Sequence, residues 1–379
     1  MKHLAVYIDG TWNIPHSNTN IWRMNLLTAL HETETAQLAF YHQGIGRDVS
    51  DRLRGAFGKG INGSVRNCYS WIMENYCPGD KLFILGFSRG AYIARSLTGF
   101  IERCGLLRPG TPLTVRELFE RYRTVPESKS ISDREGREEQ WPIHRDADLK
   151  RHSQKVQIDF LGVWDTVRYH DLPLGSVRGL SRSQNLFHAV HPGSAPRRVY
   201  QALAVDEHRL AYRHELLFPH VVVDDAVAVP VVEQRWFPGA HSNVGGGHKN
   251  DTLALLFLAW MQKSAAACGL EFKEQVVLHG DEHLGPVHDS FSSFLGGAYR
   301  ALSRNKRHWR EIGSTDNAGS AAPSQGMSEV IDASVFDRWR KDPAYRPRNI
   351  AEWGSCRGLT IGELHGTQNA HLLGLKADD

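Results

Sequence analysis

The segment Leu85-Gly86-Phe87-Ser88-Arg89-Gly90-Ala91 constrains this chain more than any other. An apolar run at 81–85 precedes it and reads as a short buried strand, and residues 91–97 behind it carry a helical pattern. Strand, G-x-S-x-G and helix in succession make a nucleophile elbow, a sharp turn that presents a serine hydroxyl at the edge of a sheet. Neighbouring backbone must approach both residues that flank the serine, and only glycine lacks the Cβ that would collide. The serine then stands at a helix N-terminus, where backbone N–H groups and the helix dipole favour negative charge. A bare G-x-S-x-G occurs by chance in many glycine-rich chains. The strand before it and the helix after it make it informative here.

Short apolar runs at 4–8, 36–41, 81–85 and 156–163 read as buried strands, with helical patterns at 20–33 and 63–76 among them. This alternation predicts an open, mostly parallel α/β sheet flanked by crossover helices. A run at 231–237 continues the rhythm and leads into Pro238-Gly239-Ala240-His241, ahead of a helical stretch at 251–268 with Asp251 as its N-cap. Residues 109–154 break the pattern; they are charge-rich and read either as a solvated helical excursion or as a lid over the site. Residues 313–327 are a low-complexity loop, expected to be mobile. The expected layout is a catalytic domain over 1–350 and a tail over 351–379.

A chain of 379 residues can bury a large core, and 41% hydrophobic with 23% charged residues is ordinary for a globular protein. The formal charge of +3 is too mild to imply a nucleic-acid partner. Five cysteines (Cys68, Cys77, Cys104, Cys268, Cys356) are odd in number and contain no C-x-x-C pair. They fit neither a disulfide framework nor a zinc site, and suit a reducing compartment. The N-terminal apolar run is too short for a signal peptide, and no stretch approaches the roughly 18 apolar residues of a spanning helix. The expectation is a protein made in the cytoplasm, with any export by a signal-independent route.

A serine hydroxyl needs a base to take its proton, usually a histidine oriented by a carboxylate. In folds that carry this elbow the chain order is Ser, then Asp or Glu, then His. Asp165 closes the run Ile158-Asp159-Phe160-Leu161-Gly162-Val163-Trp164, at the carboxyl end where such sheets gather their catalytic groups. Asp159 competes, but it lies within the run. Among 20 histidines, His241 has the right order and a strand-end position, with Ser242-Asn243-Val244-Gly245-Gly246-Gly247-His248 behind it. His248 ranks second and His208 third. The oxyanion of an acyl transfer needs donors. The Arg89 amide is one, and the early loop Asp9-Gly10-Thr11-Trp12-Asn13 supplies the other through Gly10 or Thr11. A phosphatase D-x-D-G-T reading of that loop fails because Tyr7 stands where the nucleophilic aspartate belongs. Asp9 is then either a turn former or a residue that shapes the site. Gly44-Ile45-Gly46 and Gly245-Gly246-Gly247 match no phosphate-binding pattern and read as points of close backbone approach. No cofactor or metal site is implied.

Seven ordered blocks carry a family resemblance: Tyr7-Ile8-Asp9-Gly10-Thr11-Trp12-Asn13, Gly44-Ile45-Gly46, Pro78-Gly79-Asp80, the elbow through Tyr92, Trp164-Asp165-Thr166-Val167, Ala204-Val205-Asp206-Glu207, and Trp236-Phe237-Pro238-Gly239 through Gly247. Together they resemble the α/β-hydrolase-like catalytic domain of type VI secretion lipase effectors, over about residues 3–300 and more weakly to Asn349. The resemblance implies a Ser-Asp-His hydrolase with Ser88, Asp165 and His241 in those roles, and phospholipase A activity in the antibacterial members. It also implies a lipid or other ester substrate, and a secretion apparatus or an immunity protein as partner. A small soluble ester, or a binding-only relative of the fold, are the alternatives. One departure stands out: the family usually has Asp two residues after the histidine, where this chain has Asn243. A carboxylate that only shapes the loop can be replaced by an amide; one that tunes the histidine or holds an ion cannot.

Overall fold

A computed structural model describes residues 1–11, 13–30, 35–44, 57–124, 143–167, 195–217, 230–313, 329–356 and 358–360. Among them the chain forms strands β1 (His3–Ile8), β2 (Gln37–His42), β3 (Lys81–Phe87), β4 (Leu106–Leu107), β5 (Ser153–Gln154), β6 (Phe160–Trp164), β7 (Arg198–Ala204), β8 (Val231–Phe237) and β9 (Glu329–Ile331). Seven of these pair in parallel in the order β2-β1-β3-β6-β7-β8-β9, and β4 with β5 makes a separate antiparallel pair. The helices that frame the sheet are α1 (Asn20–Leu27), α2 (Phe57–Asn75), α3 (Arg89–Cys104), α4 (Val115–Thr124), α5 (Ile143–His152), α6 (His241–Gly245), α7 (Ala254–Ala266), α8 (Ala333–Lys341) and α9 (Arg348–Ser355). This is the mostly parallel, helix-flanked sheet of an α/β-hydrolase-like fold.

Both faces of the sheet are covered, which is why its central strands read as unbroken apolar runs. Leu4, Val6, Ile8, Leu82 and Ile84 point to one face, against Val65, Tyr69 and Ile72 of α2 and Leu97 and Phe100 of α3. Ala5, Tyr7, Phe83 and Leu85 point to the other, against Ile21 and Met24 of α1 and Phe257 and Met261 of α7. A third cluster joins Leu203, Trp236 and Ile331 to Phe336 and Trp339 of α8 and Ile350 and Trp353 of α9.

Several expected boundaries shift, each for a local reason. The run at 156–163 enters the ladder only at Phe160, because Asp159 bonds Leu82 through both its amide and its carboxylate. Asp251 does not cap α7, which starts at Ala254; the Asp251 carboxylate accepts a bond from Asn243 instead. The first helix stops at Leu27, where Thr28 turns extended and its hydroxyl bonds back to the Met24 carbonyl. Within 109–154, α4 buries Leu118, Phe119 and Tyr122 in the core beside Phe100, while 125–142 lie outside the described residues. The 313–327 loop beyond Gly313 and the tail beyond 360 also lie outside them.

Candidate active site

The elbow joins β3 to α3 with Ser88 at φ 56° and ψ −118°, a conformation L-residues seldom adopt. Its N–H donates to the Trp164 carbonyl, tying the turn to the end of β6. The flanking glycines meet the close approach that the sequence pattern demands. A Cβ on Gly86 would lie 2.5 Å from the Gly90 oxygen, and one on Gly90 would lie 2.2 Å from the Ile8 oxygen.

His241 opens α6 one short turn after β8. Its Nε2 lies 2.8 Å from Ser88 Oγ and its Nδ1 lies 2.6 Å from Asp165 Oδ2. These partners set the tautomer, with Nδ1 carrying the proton toward the carboxylate and Nε2 accepting from the serine. The imidazole stacks on Phe87 at 4.9 Å and meets the edge of Tyr212 at 5.1 Å. Gly245 keeps this packing possible, since a Cβ there would overlap the Phe87 ring. The rivals make other contacts, although His248 lines the same cavity as Ser88 and His241. Asp159 is at the far end of β6, His208 bonds the His308 carbonyl, and His248 stacks on His288 at 3.7 Å.

Asp165 follows β6 at φ 44° and is fully buried. Besides His241 it meets Arg310, which donates from Nη1 to Oδ1 at 2.5 Å and from Nη2 to Oδ2 at 2.9 Å. Burial pushes the Asp165 carboxyl up, but Arg310 and the His241 bond outweigh it and hold it well below the usual carboxylate range. A second buried pair lies beside it. Glu207 accepts two side-chain bonds from Arg209, each at 2.8 Å, and its Oε2 accepts the His241 backbone N–H at 3.3 Å. Burial lowers the His241 pKa, opposed by the Asp165 hydrogen bond and charge, and the ring is held below its ordinary value. Arg310 and Arg209 are not among the residues singled out from sequence, and Glu207 enters there only as the last residue of the Ala204-Val205-Asp206-Glu207 block.

Next to Arg310, His214 is pushed down to about 3 from its ordinary 6.5, chiefly by burial and then by the Arg310 charge. The unfolded chain takes up this proton near pH 6.5, whereas the folded protein resists until about pH 3. The unfolded state therefore binds more protons across that window, and stability falls as pH drops through it. His241 acts in the same direction. The expected result is a urea midpoint that declines from pH 7 to pH 4, by on the order of a few kcal/mol in stability, and less steeply in His214→Phe. A flat profile in the native protein would exclude this.

The early loop is organised by Asp9. Its carboxylate accepts from the Gly10 amide, Asn13 Nδ2, the Thr19 hydroxyl and the Tyr41 hydroxyl at 2.6–3.1 Å. Burial is the largest influence on this carboxyl and leaves its pKa raised despite the four donors. One expectation changes as a result. The Gly10 amide is engaged by Asp9 Oδ1 at 2.7 Å, so it cannot also point at an oxyanion. The Thr11 amide has no hydrogen-bond partner among the described residues and lines the same cavity as Arg89, the first residue of α3. Gly44 lets its own strand exit pack on this loop, since a Cβ would overlap the Gly10 oxygen. Trp12, Ile45 and Gly46 lie outside the described residues.

Asn243 is a fully satisfied buried amide. Its Oδ1 accepts from the amides of Ala240 and His288 at 3.0 and 3.1 Å, and its Nδ2 donates to the Pro286 carbonyl and Asp251 Oδ1 at 3.1 and 3.3 Å. Its side chain thus shapes the loop that carries His241 and does not touch the imidazole. An aspartate here would face a carbonyl and a carboxylate with no proton to donate. Asn243→Asp is expected to cost on the order of 1–3 kcal/mol at neutral pH, read by denaturant unfolding. Wild-type stability in that variant would exclude the need for the amide.

Ser88 and His241 open into a cavity of about 550 Å³. Phe87, Tyr212 and Phe294 give it aromatic walls, while Arg89, Arg209 and Ser290 add polar ones. Among the described residues no group of three or more His, Cys, Asp or Glu is placed to hold a metal ion, and no helix is long and apolar enough to cross a membrane. The described part of 109–154 contributes nothing to the cavity lining.

Comparison with known proteins places this chain in a family. The chain is 28% identical over 242 residues to the uncharacterized protein YEL023C of Saccharomyces cerevisiae, a stretch that is 58% of this chain and 33% of that protein. It therefore spans about a third of the length of that relative. Among solved structures, the Tle1 effector bound to the VgrG spike of the type 6 secretion system matches with a TM-score of 0.35 and 17% identity, over 66% of this chain and 52% of that one. An uncharacterized protein from Pseudomonas aeruginosa matches with a TM-score of 0.40 and 14% identity, over 99% of this chain and 62% of that one. Residues 2–264 match the family model described as "T6SS, Phospholipase effector Tle1-like, catalytic domain". The chain belongs to this family of phospholipase-effector-like hydrolases.

Proposed function

We propose that this protein hydrolyses a carboxylic ester of a lipid through an acyl-enzyme, with Ser88 as nucleophile, His241 as base and Asp165 as acid. The observation that carries the reading is the unbroken bond chain Ser88 Oγ–His241–Asp165, at 2.8 and 2.6 Å, at the wall of an open cavity. Ser88 Oγ attacks the ester carbonyl while its proton passes to His241 Nε2. The amides of Arg89 and Thr11 stabilise the oxyanion. As the tetrahedral species collapses, the ester C–O bond breaks and His241 returns the proton to the leaving alcohol. Water then attacks the acyl-serine with His241 again taking the proton, which releases the fatty acid and restores Ser88. The family description supports a phospholipid as the ester and delivery by a type VI secretion apparatus. The aromatic walls at Phe87, Tyr212 and Phe294 offer apolar surface to an acyl chain.

The test is a panel running from short-chain nitrophenyl esters to phospholipid vesicles, beside stoichiometric labelling with a fluorophosphonate. Fatty-acid release from vesicles together with labelling at Ser88 is expected. Turnover of short esters alone would shift the reading to a small soluble ester. Absence of labelling would remove the activated serine and leave a binding-only relative of the fold.

A further inference from the structure

We propose that Arg310 is a positioning residue of the triad, gripping both oxygens of Asp165 so that the carboxylate meets His241 in one orientation and with its charge offset. The inference deepens the serine-hydrolase reading and rests on it. Its basis is a shared atom: Asp165 Oδ2 receives His241 Nδ1 at 2.6 Å and Arg310 Nη2 at 2.9 Å, while Oδ1 receives Arg310 Nη1 at 2.5 Å. A bidentate guanidinium fixes the plane of the carboxylate as well as its position. The only backbone amide bonded to that carboxylate among the described residues is Ala204, at 3.2 Å.

Arg310 is itself held. Nη1 also donates to the Ala204 carbonyl at 3.1 Å and Nη2 to the Tyr212 carbonyl at 2.6 Å. Both Arg310 and Asp165 have no exposed side-chain surface, so water screens neither charge. An ion pair that served the core alone would have no reason to share the oxygen that orients the imidazole. Arg310 also lies beyond the 2–264 span matched by the family model, 145 residues after its partner.

The electrostatic consequence follows from charge balance. Asp165 still favours the imidazolium through its charge and its hydrogen bond, but the Arg310 guanidinium on the same carboxylate offsets part of that charge. His241 then stays neutral, and able to accept the Ser88 proton, to lower pH. Among the described residues the other charged groups acting on this imidazole are Glu207 and Arg209, which are paired with each other, while His214 and His308 both feel the Arg310 charge. Removing Arg310 alone leaves the Asp165 charge unbalanced and raises the His241 pKa.

The experiment is the pH dependence of kcat/KM on a nitrophenyl ester for the native protein, Arg310→Met and Arg310→Lys, with Ser88→Ala as the blank and thermal melts to score folding. In Arg310→Met the acid limb is expected to move up by about one pH unit. Arg310→Lys restores the charge but not the two-point grip. Its acid limb is expected near the native position, with kcat about tenfold lower at unchanged KM. An unmoved limb in folded Arg310→Met overturns the proposal. Should that variant fail to fold, Arg310→Lys decides: native kcat overturns the positioning role and the tenfold loss supports it. A native protein with neither turnover nor fluorophosphonate labelling would instead overturn the serine-hydrolase reading, and this proposal with it.

Discussion

Ser88→Ala is expected to lower ester turnover by a factor of roughly 10³ or more while leaving the fold intact. The loss is large because the hydroxyl is the atom bonded to His241 Nε2, and a methyl group can neither attack a carbonyl nor give up a proton. What survives is the contribution of the oxyanion donors and of binding, which in other triad enzymes still exceeds reaction with water alone. The fold should persist because the structural work of residue 88 lies in its backbone. Its N–H bonds the Trp164 carbonyl, and alanine adopts φ near 56° with no more strain than serine does. His241 Nε2 loses its partner, yet it borders the open cavity, where water can replace the bond. The check is kcat and KM on a nitrophenyl ester beside a melting curve. Turnover within tenfold of the native protein would exclude Ser88 as nucleophile, and a collapsed melting temperature would show that the hydroxyl holds the turn.

The residues brought together at the site differ in how much of their role could be read from sequence. Ser88 is marked by glycines whose absence of a Cβ has a geometric cause, and Asp165 and His241 each follow a strand in the required order. Signals of that kind are local: a turn, a strand end, a residue type. Arg310 has none. It lies on no strand or helix, and only the fold reveals that its guanidinium reaches a carboxylate 145 residues away. The Glu207–Arg209 pair is different, because its two residues are separated by one position and stand just after β7. An acid and an arginine at that spacing on a strand-end loop were a usable hint. The strand β7 itself hides for a related reason. Its run is interrupted by Gln201, which is fully buried and satisfied by Thr166 and Gln234, so a polar letter occupies a core position. β9 covers only three residues, too short for any periodicity. The early loop shows the opposite case. Gly10 and Thr11 look equivalent as letters, and only the bond from the Gly10 amide to Asp9 separates them.

Asp165→Asn is expected to lose activity on a similar scale and, unlike Ser88→Ala, to lose stability as well. The amide can hold His241 in the wrong tautomer and cannot stabilise the imidazolium; in a serine protease the same exchange costs a factor of about 10⁴ in kcat. The second loss arises from Arg310, whose guanidinium is fully buried and would face a neutral amide in place of both carboxylate oxygens. Breaking one side of a buried ion pair costs roughly 3–5 kcal/mol, because a charge is left in a medium that cannot solvate it. The two active-site variants therefore separate in a melting experiment although they converge in a rate assay. The pairing also predicts the sign of a double change. Asp165→Asn combined with Arg310→Met removes the stranded charge and should recover part of the lost stability, while turnover stays at the level of Asp165→Asn. Equal melting temperatures for the native protein and Asp165→Asn would mean that the buried pair does not hold this corner of the fold. A double variant less stable than Asp165→Asn would mean that Arg310 is anchored by the Ala204 and Tyr212 carbonyls more firmly than by the acid it faces.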